Sequence, residues 1–165
     1  MSLRRAEIIG AWSLVSVVSV YEDGQRVDEL GPRPAGYLCY TPEGFVSATL
    51  GDSTRPTSRA GDPHSATADE YAAMTRKFIA YAGRYSLDEA TSTVVHRMEV
   101  SLFTNWTGQG QERHLAVDGD TLTITASPRV AADGRSFHSE LVWRRDGGAT
   151  SPEGVPAATK LTGGG

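Results

Sequence analysis

Two neighbouring stretches of alternating sequence hold the residues with the most chemistry to offer. In residues 111–117, Arg113 alternates with Leu115 and Val117, so the three share one face of a strand. That face is apolar, and the apolar face of a strand turns towards a core. Arg113 is therefore expected to point inward. A guanidinium held there without a partner is strongly destabilising, so it calls for an internal carboxylate or an anionic guest. Its planar fork of donors suits a carboxylate or an enolate-like oxygen. In residues 94–100, alternation puts Val94, His96, Met98 and Val100 on one face and Arg97 and Glu99 on the other. A bulge would re-aim Glu99 and could bring it to Arg113. His96 is then either a hydrogen-bonded core histidine or a group for acid–base work and ligand orientation.

Tyr37, Tyr40, Tyr81 and Tyr85 supply aromatic surfaces with hydroxyl tips, for a pocket wall or for packing. Asn105-Trp106 follows a long strand-like stretch and belongs at an open end of the fold. There the amide can donate to a ligand and the indole can shield it, unless Asn105 serves only the turn. The expected ligand contacts are thus Tyr40, Tyr81, Tyr85, His96, Met98, Asn105, Trp106, Arg113 and Leu115. Any catalysis would rest on His96, Arg113 and Tyr85. His64, His114 and His138 have no paired spacing, and no His-x-His or His-Glu-x-x-His signature occurs, so no metal is expected. Nucleophile elbow, phosphate loop and dinucleotide fingerprint are likewise missing, and no cofactor is expected.

A series of strands must position these groups. Residues 9–21 form a β-branched run in which Trp12, Leu14, Val18 and Val20 share a face interrupted by Ser16; Ser13, Val15, Val17, Ser19 and Tyr21 take the other. A long strand buried on one face and half-covered on the other suits the first strand of a closed barrel. Further strands are expected over residues 35–41, 45–50, 83–88, 93–102, 111–117, 121–125 and 136–145, with turns at Asp23-Gly24, Pro42-Glu43-Gly44, Asp118-Gly119 and Asp133-Gly134. Residues 51–66 lack periodicity and read as a long loop. Thr67 and Glu70 then make a capping box for a helix running towards Phe78, and loop and helix together can cover one mouth of a barrel. The sum is an all-β fold: an antiparallel up-and-down barrel of about eight strands with one inserted helix, closed because closure removes sticky edges. An open sheet wrapped round a helix is the alternative. The barrel is expected over residues 1–146, and the Gly/Pro/Ala-rich residues 147–165 are expected to be disordered.

At 165 residues the chain suits one domain with a core or an enclosed cavity. The formal net charge of −4 argues against a nucleic-acid partner. A single cysteine, Cys39, excludes an intrachain disulfide. No run is long enough for a membrane-spanning helix. Glu7 and the serines of the first strand argue against a secretory leader, so a cytoplasmic monomer or homodimer is expected.

The Gly10-Ala11-Trp12 opening resembles the Gly-x-Trp signature of lipocalins and fatty-acid-binding proteins. In those barrels a basic residue packs over the Trp, and Arg144 and Arg145 stand ready for that part, in a cation–π contact of roughly 1 kcal/mol. Taken with Gly36-Tyr37-Leu38-Cys39-Tyr40-Thr41-Pro42-Glu43-Gly44, Tyr81-Ala82-Gly83-Arg84-Tyr85, Val95-His96 and the segment from Ser101 to Gly108, residues 8–145 resemble the bacterial and fungal lipocalin-like domain family, small barrels of the calycin type. Thr104 departs from the pattern, where Pro is expected before Asn-Trp. The resemblance implies a central pocket, and some members sit in natural-product pathways. Two functional expectations follow. One is a binding barrel for a hydrophobic or aromatic small molecule bearing a polar or anionic group. The other is a cofactor-free cyclase or isomerase of polyketide or terpenoid biosynthesis, working by positioning and a few donors. Fold alone does not separate them, and a filled core would argue for a purely structural domain instead.

Overall fold

The computed structural model describes residues 3–147, so the tail expected over residues 147–165 lies, but for its first residue, outside the described residues. In chain order the elements are α1 (Arg5–Ile8), β1 (Gly10–Tyr21), β2 (Arg26–Asp28), β3 (Pro34–Tyr40), β4 (Phe45–Asp52), α2 (Ala68–Thr75), β5 (Phe78–Asp88), β6 (Thr93–Ser101), β7 (Gly110–Asp118), β8 (Thr121–Ala126), β9 (Arg129–Val130) and β10 (Ser136–Arg145). Strands β1, β3, β4, β5, β6, β7, β8 and β10 pair antiparallel in that order, and β10 returns to β1. The result is the closed, all-β barrel expected. β2 and β9 are short strips laid against β1 and β10. No helix of the described residues is long and apolar enough to cross a membrane.

One end of the barrel is sealed. Leu3, Ile8 and Trp12 are buried there beside Tyr85. The Trp12 indole donates to the Ile8 carbonyl at 2.8 Å. Of the two candidate arginines it is Arg145 that lies over the Trp12 ring, 4.1 Å from its centroid. Arg145 also donates to the carbonyls of Glu7, at 2.6 Å, and Ile9, at 3.1 Å, which ties α1 across the barrel end. The cation–π contact adds about 1 kcal/mol.

Two bulges decide which side chains enter the barrel. Between β1 and β10 the register steps from Leu14 opposite Trp143 to Ser16 opposite Val142, leaving Val15 as the extra residue, 46% exposed. One extra residue inverts the alternation beyond it. Val17 and Ser19 are therefore the buried residues downstream of Trp12, where simple alternation put Val18 and Val20. On β6 the partners step from Val100 opposite Ala82 to Met98 opposite Gly83, so Glu99 is extra. Val94, His96 and Met98 stay inside, but Val100 is 69% exposed instead of sharing their face. Glu99 turns outward to Arg84, 3.6 Å away, and does not reach Arg113.

The inserted helix is shorter than expected. Thr67 and Glu70 form the capping box, with the Thr67 amide donating to the Glu70 carboxylate at 2.9 Å, but α2 ends at Thr75. Lys77 turns the chain with φ 55°, and residues 78–82 pair with β4 as the start of β5. An available ladder edge outweighs the modest helix propensity of those residues. Arg55 fastens the preceding loop: it donates to the Met74 carbonyl at 2.5 Å and stacks on Phe78 at 4.1 Å.

Gly83 is the residue that admits the β6 bulge. A Cβ there would sit 1.9 Å from the Arg97 carbonyl oxygen. Gly83→Ala is expected to lower stability by about 1–3 kcal/mol, the usual range for forced overpacking. Urea unfolding checks this, and a variant as stable as the parent would show that the bulge can relax.

Candidate ligand-binding site

A cavity of about 520 Å³ occupies the barrel at the end away from Trp12. Its apolar wall includes Val17, Leu38, Leu50, Ile79, Ile124 and Leu141, drawn from most of the long strands. The exposed residues Glu112, Ser127, Pro128 and Arg129 lie along its rim, with Trp106 beside them. Neither the loop after β4 nor α2 contributes to this wall.

His96 sits in the polar part. It is 1% exposed and held between two tyrosines. The Tyr40 hydroxyl, from β3, lies 2.7 Å from Nε2, and the Tyr81 hydroxyl, from β5, lies 2.9 Å from Nδ1. Burial, and then the charge of Arg113, push the His96 pKa down to about 3. Burial raises the Tyr40 hydroxyl well above its ordinary value, and raises Tyr81 to about 12 against the opposing pull of Arg113. All three groups are neutral near pH 7.

Arg113 enters the cavity from β7, on the face of Leu115 and Val117 that alternation assigned to it. Burial lowers its pKa. It nevertheless keeps its proton, as arginine does in proteins. One guanidinium nitrogen donates to the Gln111 side-chain oxygen and another to the Glu112 carbonyl, at 3.2 Å. Among the described residues no carboxylate forms an ion pair with it.

The expected residues separate into layers. Tyr81, His96, Trp106 and Arg113 line the cavity. Tyr40 stands behind His96 and reaches the cavity only through it. Tyr85 stands further back, its ring 4.9 Å from that of Tyr40. The Tyr85 hydroxyl donates to the Thr41 carbonyl at 2.9 Å and accepts from Arg5 at 3.2 Å, so it belongs to the sealed end and offers nothing to the cavity. Met98 and Leu115 are buried core residues outside the lining. Asn105 is exposed on the short turn Thr104–Trp106, whose bonds are backbone ones. Tyr37 points out of the barrel.

A second polar cluster was not anticipated. The Glu29 carboxylate, on the cavity wall, accepts from Ser19 at 2.8 Å and from Ser139, and pairs with Arg129 at 3.6 Å. Ser19 and Ser139 face each other across β1 and β10. The signal was two small polar residues within apolar strands, readable as inward only once the Val15 bulge is known. Trp143 was also missed: it lines the cavity, and its buried indole N–H has no acceptor among the described residues.

Comparison with known proteins agrees with this architecture. Residues 9–146 match the family model described as a lipocalin-like domain. A curated protein of Aspergillus oryzae, the 4'-hydroxy-3'-methoxypropiophenone carrier protein, is 33% identical over 87 residues, which is 49% of this chain and 78% of that relative. No solved structure matches the chain.

His96 makes stability depend on pH. Its pKa is 6.5 in an ordinary setting and about 3 when folded, so the unfolded chain binds the extra proton between these values. The stabilisation is complete above 6.5 and is lost as pH falls, by up to about 1.4 kcal/mol per unit. Urea unfolding between about pH 6.5 and 5, above the carboxylate range, is expected to show this slope, and His96→Gln to flatten it. A parent profile already flat over that interval would refute the neutral, sealed imidazole.

Proposed function

The chain belongs to the lipocalin-like domain family, and from that premise we propose that it is a carrier for a small aromatic or hydrophobic molecule bearing an oxygen function. The carrying observation is the Arg113 guanidinium at the wall of a mostly apolar cavity with no carboxylate among the described residues to neutralise it. In surroundings of low dielectric a cation gains most from an oxygen that brings negative charge or a strong dipole. The cavity volume of about 520 Å³ lies within the ~300–1,000 Å³ of small-molecule sites. An aryl ketone of the kind named for the fungal relative has the matching character: an aromatic body for the aliphatic wall and Trp106, and an oxygen for Arg113.

The site favours holding over transformation. A general base needs a free nitrogen or oxygen of suitable basicity within reach of the substrate. Both ring nitrogens of His96 are engaged by protein hydroxyls, and its pKa of about 3 makes it a weak base. Of the other two groups considered for catalysis, Tyr85 is bonded at the sealed end and Arg113, always protonated, cannot serve as a base.

The test is calorimetric titration with 4'-hydroxy-3'-methoxypropiophenone. Arg113→Ala is expected to weaken binding at least tenfold, about 1.4 kcal/mol, while folding is retained or improved because an unpaired buried cation is removed. Unchanged affinity would end the anchoring role, and loss of folding would mark Arg113 as structural. Recovery of a chemically altered probe by mass spectrometry would overturn the carrier reading in favour of an enzyme.

A further inference from the structure

The hydrogen bonds around His96 have a direction that the geometry settles by counting protons. Tyr40, His96 and Tyr81 are each neutral and carry one polar hydrogen each, three in all. Two are used in the bonds to Nε2 and Nδ1, so one hydroxyl proton is left over. There are two ways to place it. If Tyr81 donates to Nδ1, then Nε2–H donates to Tyr40, and the spare proton is that of Tyr40. The Tyr40 side chain is buried outside the cavity, and among the described residues its hydroxyl has no partner but His96. A donor sealed away without an acceptor is strongly disfavoured. If instead Tyr40 donates to Nε2, then Nδ1–H donates to Tyr81, and the spare proton belongs to a residue on the cavity wall.

We propose that the Tyr40–His96–Tyr81 chain is locked in this second sense, and that Tyr81 O–H and Arg113 present a pair of donors selecting a ligand by an acceptor oxygen, a ketone or carboxylate oxygen. The surroundings are consistent in kind. The Gln111 side-chain oxygen, the acceptor nearest the guanidinium, is consumed by Arg113 itself. The Glu29 carboxylate takes Ser19, Ser139 and Arg129 on its Oε1. The Trp143 indole N–H on the same wall is a further donor without a partner among the described residues. On the cavity wall Arg113, Tyr81 and Trp143 thus offer free donors, and a guest group that can only accept matches them. Such a site rejects an analogue lacking the acceptor, because its own donors would then be buried unpaired. This specificity rests on the carrier reading; the proton arrangement stands without a ligand.

The experiment has two arms. In the first, ¹⁵N-histidine NMR of the ligand-free protein reads the His96 tautomer. The expected result is a protonated Nδ1 and a bare Nε2. The Nε2–H tautomer would overturn the inference whatever the protein binds. In the second, calorimetry compares 4'-hydroxy-3'-methoxypropiophenone with its deoxy analogue, a methylene replacing the ketone carbonyl. The ketone is expected to bind at least tenfold more tightly, and the near-isosteric Tyr81→Phe to cut that advantage while leaving the deoxy affinity unchanged. Equal affinity of the native protein for both probes would keep the carrier reading and overturn the inference. Failure of both probes to bind, with the Nδ1–H tautomer present, would overturn the carrier reading and sustain the donor assignment. Should Tyr81→Phe fail to fold, the native protein with the two probes and the tautomer still decide.

Discussion

An uncompensated guanidinium inside a barrel is the constraint to which the rest of the site answers. Arg113 has no carboxylate partner among the described residues, so its charge is met only by dipoles, the Gln111 side chain and the Glu112 carbonyl. That arrangement is tolerable where the cavity reaches the barrel mouth and the charge is not fully removed from water. It also sets conditions on its neighbours. A second cation at His96 would be repelled, and the imidazole is indeed held neutral by burial and by Arg113 together. Tyr81 feels the same charge in the opposite sense, which pulls its pKa down, yet burial prevails and the phenol remains protonated. Arg129, the other cation on the wall, is tied to Glu29, which leaves Arg113 as the charge to be satisfied from outside.

The barrel was legible in the sequence because its turns and its alternation are both strong. Asp-Gly turns and β-branched runs gave the order of the long strands, and the Gly-x-Trp opening anticipated the cation–π seal that Arg145 makes over Trp12. What alternation could not show is where it slips. Val15 and Glu99 each insert one residue, and each slip moves every later side chain of its strand to the other face. Val17 and Ser19 came inside that way, and Val100 went out. Gly83 was the available hint, since a glycine within a strand signals a close approach of another backbone, here the Arg97 carbonyl. The helix boundary failed for a different reason: residues 78–82 fit either state locally, and pairing with β4 decided.

The site was legible in direction but not in depth. A period of two tells which face a residue takes and says nothing of how far along the barrel axis it lies. Arg113, His96 and Tyr81 share the inner face and the cavity; Tyr85, Met98 and Leu115 share the inner face and belong to the packed portion. Tyr85 is directly opposite His96 on the ladder, yet its hydroxyl is spent at the sealed end. The cluster of Glu29, Ser19, Ser139 and Arg129 needed knowledge of the bulge and of the course of the chain after β2.

Division of labour along the axis explains why one short barrel can be both stable and receptive. Trp12, Ile8, Arg145 and α1 complete one end with apolar burial and bonds to backbone carbonyls, so stability does not depend on filling the other. The far end can then keep a void and an unpaired charge, features that cost stability and that a guest offsets on entering. Between them lies the tyrosine–histidine chain, its inner member fully buried and its outer member on the cavity wall. Because Tyr40, among the described residues, can satisfy its proton only at His96, the packed half of the barrel dictates which hydrogen the open half presents. Core packing at the sealed end and polarity at the mouth are thus coupled through a single neutral imidazole.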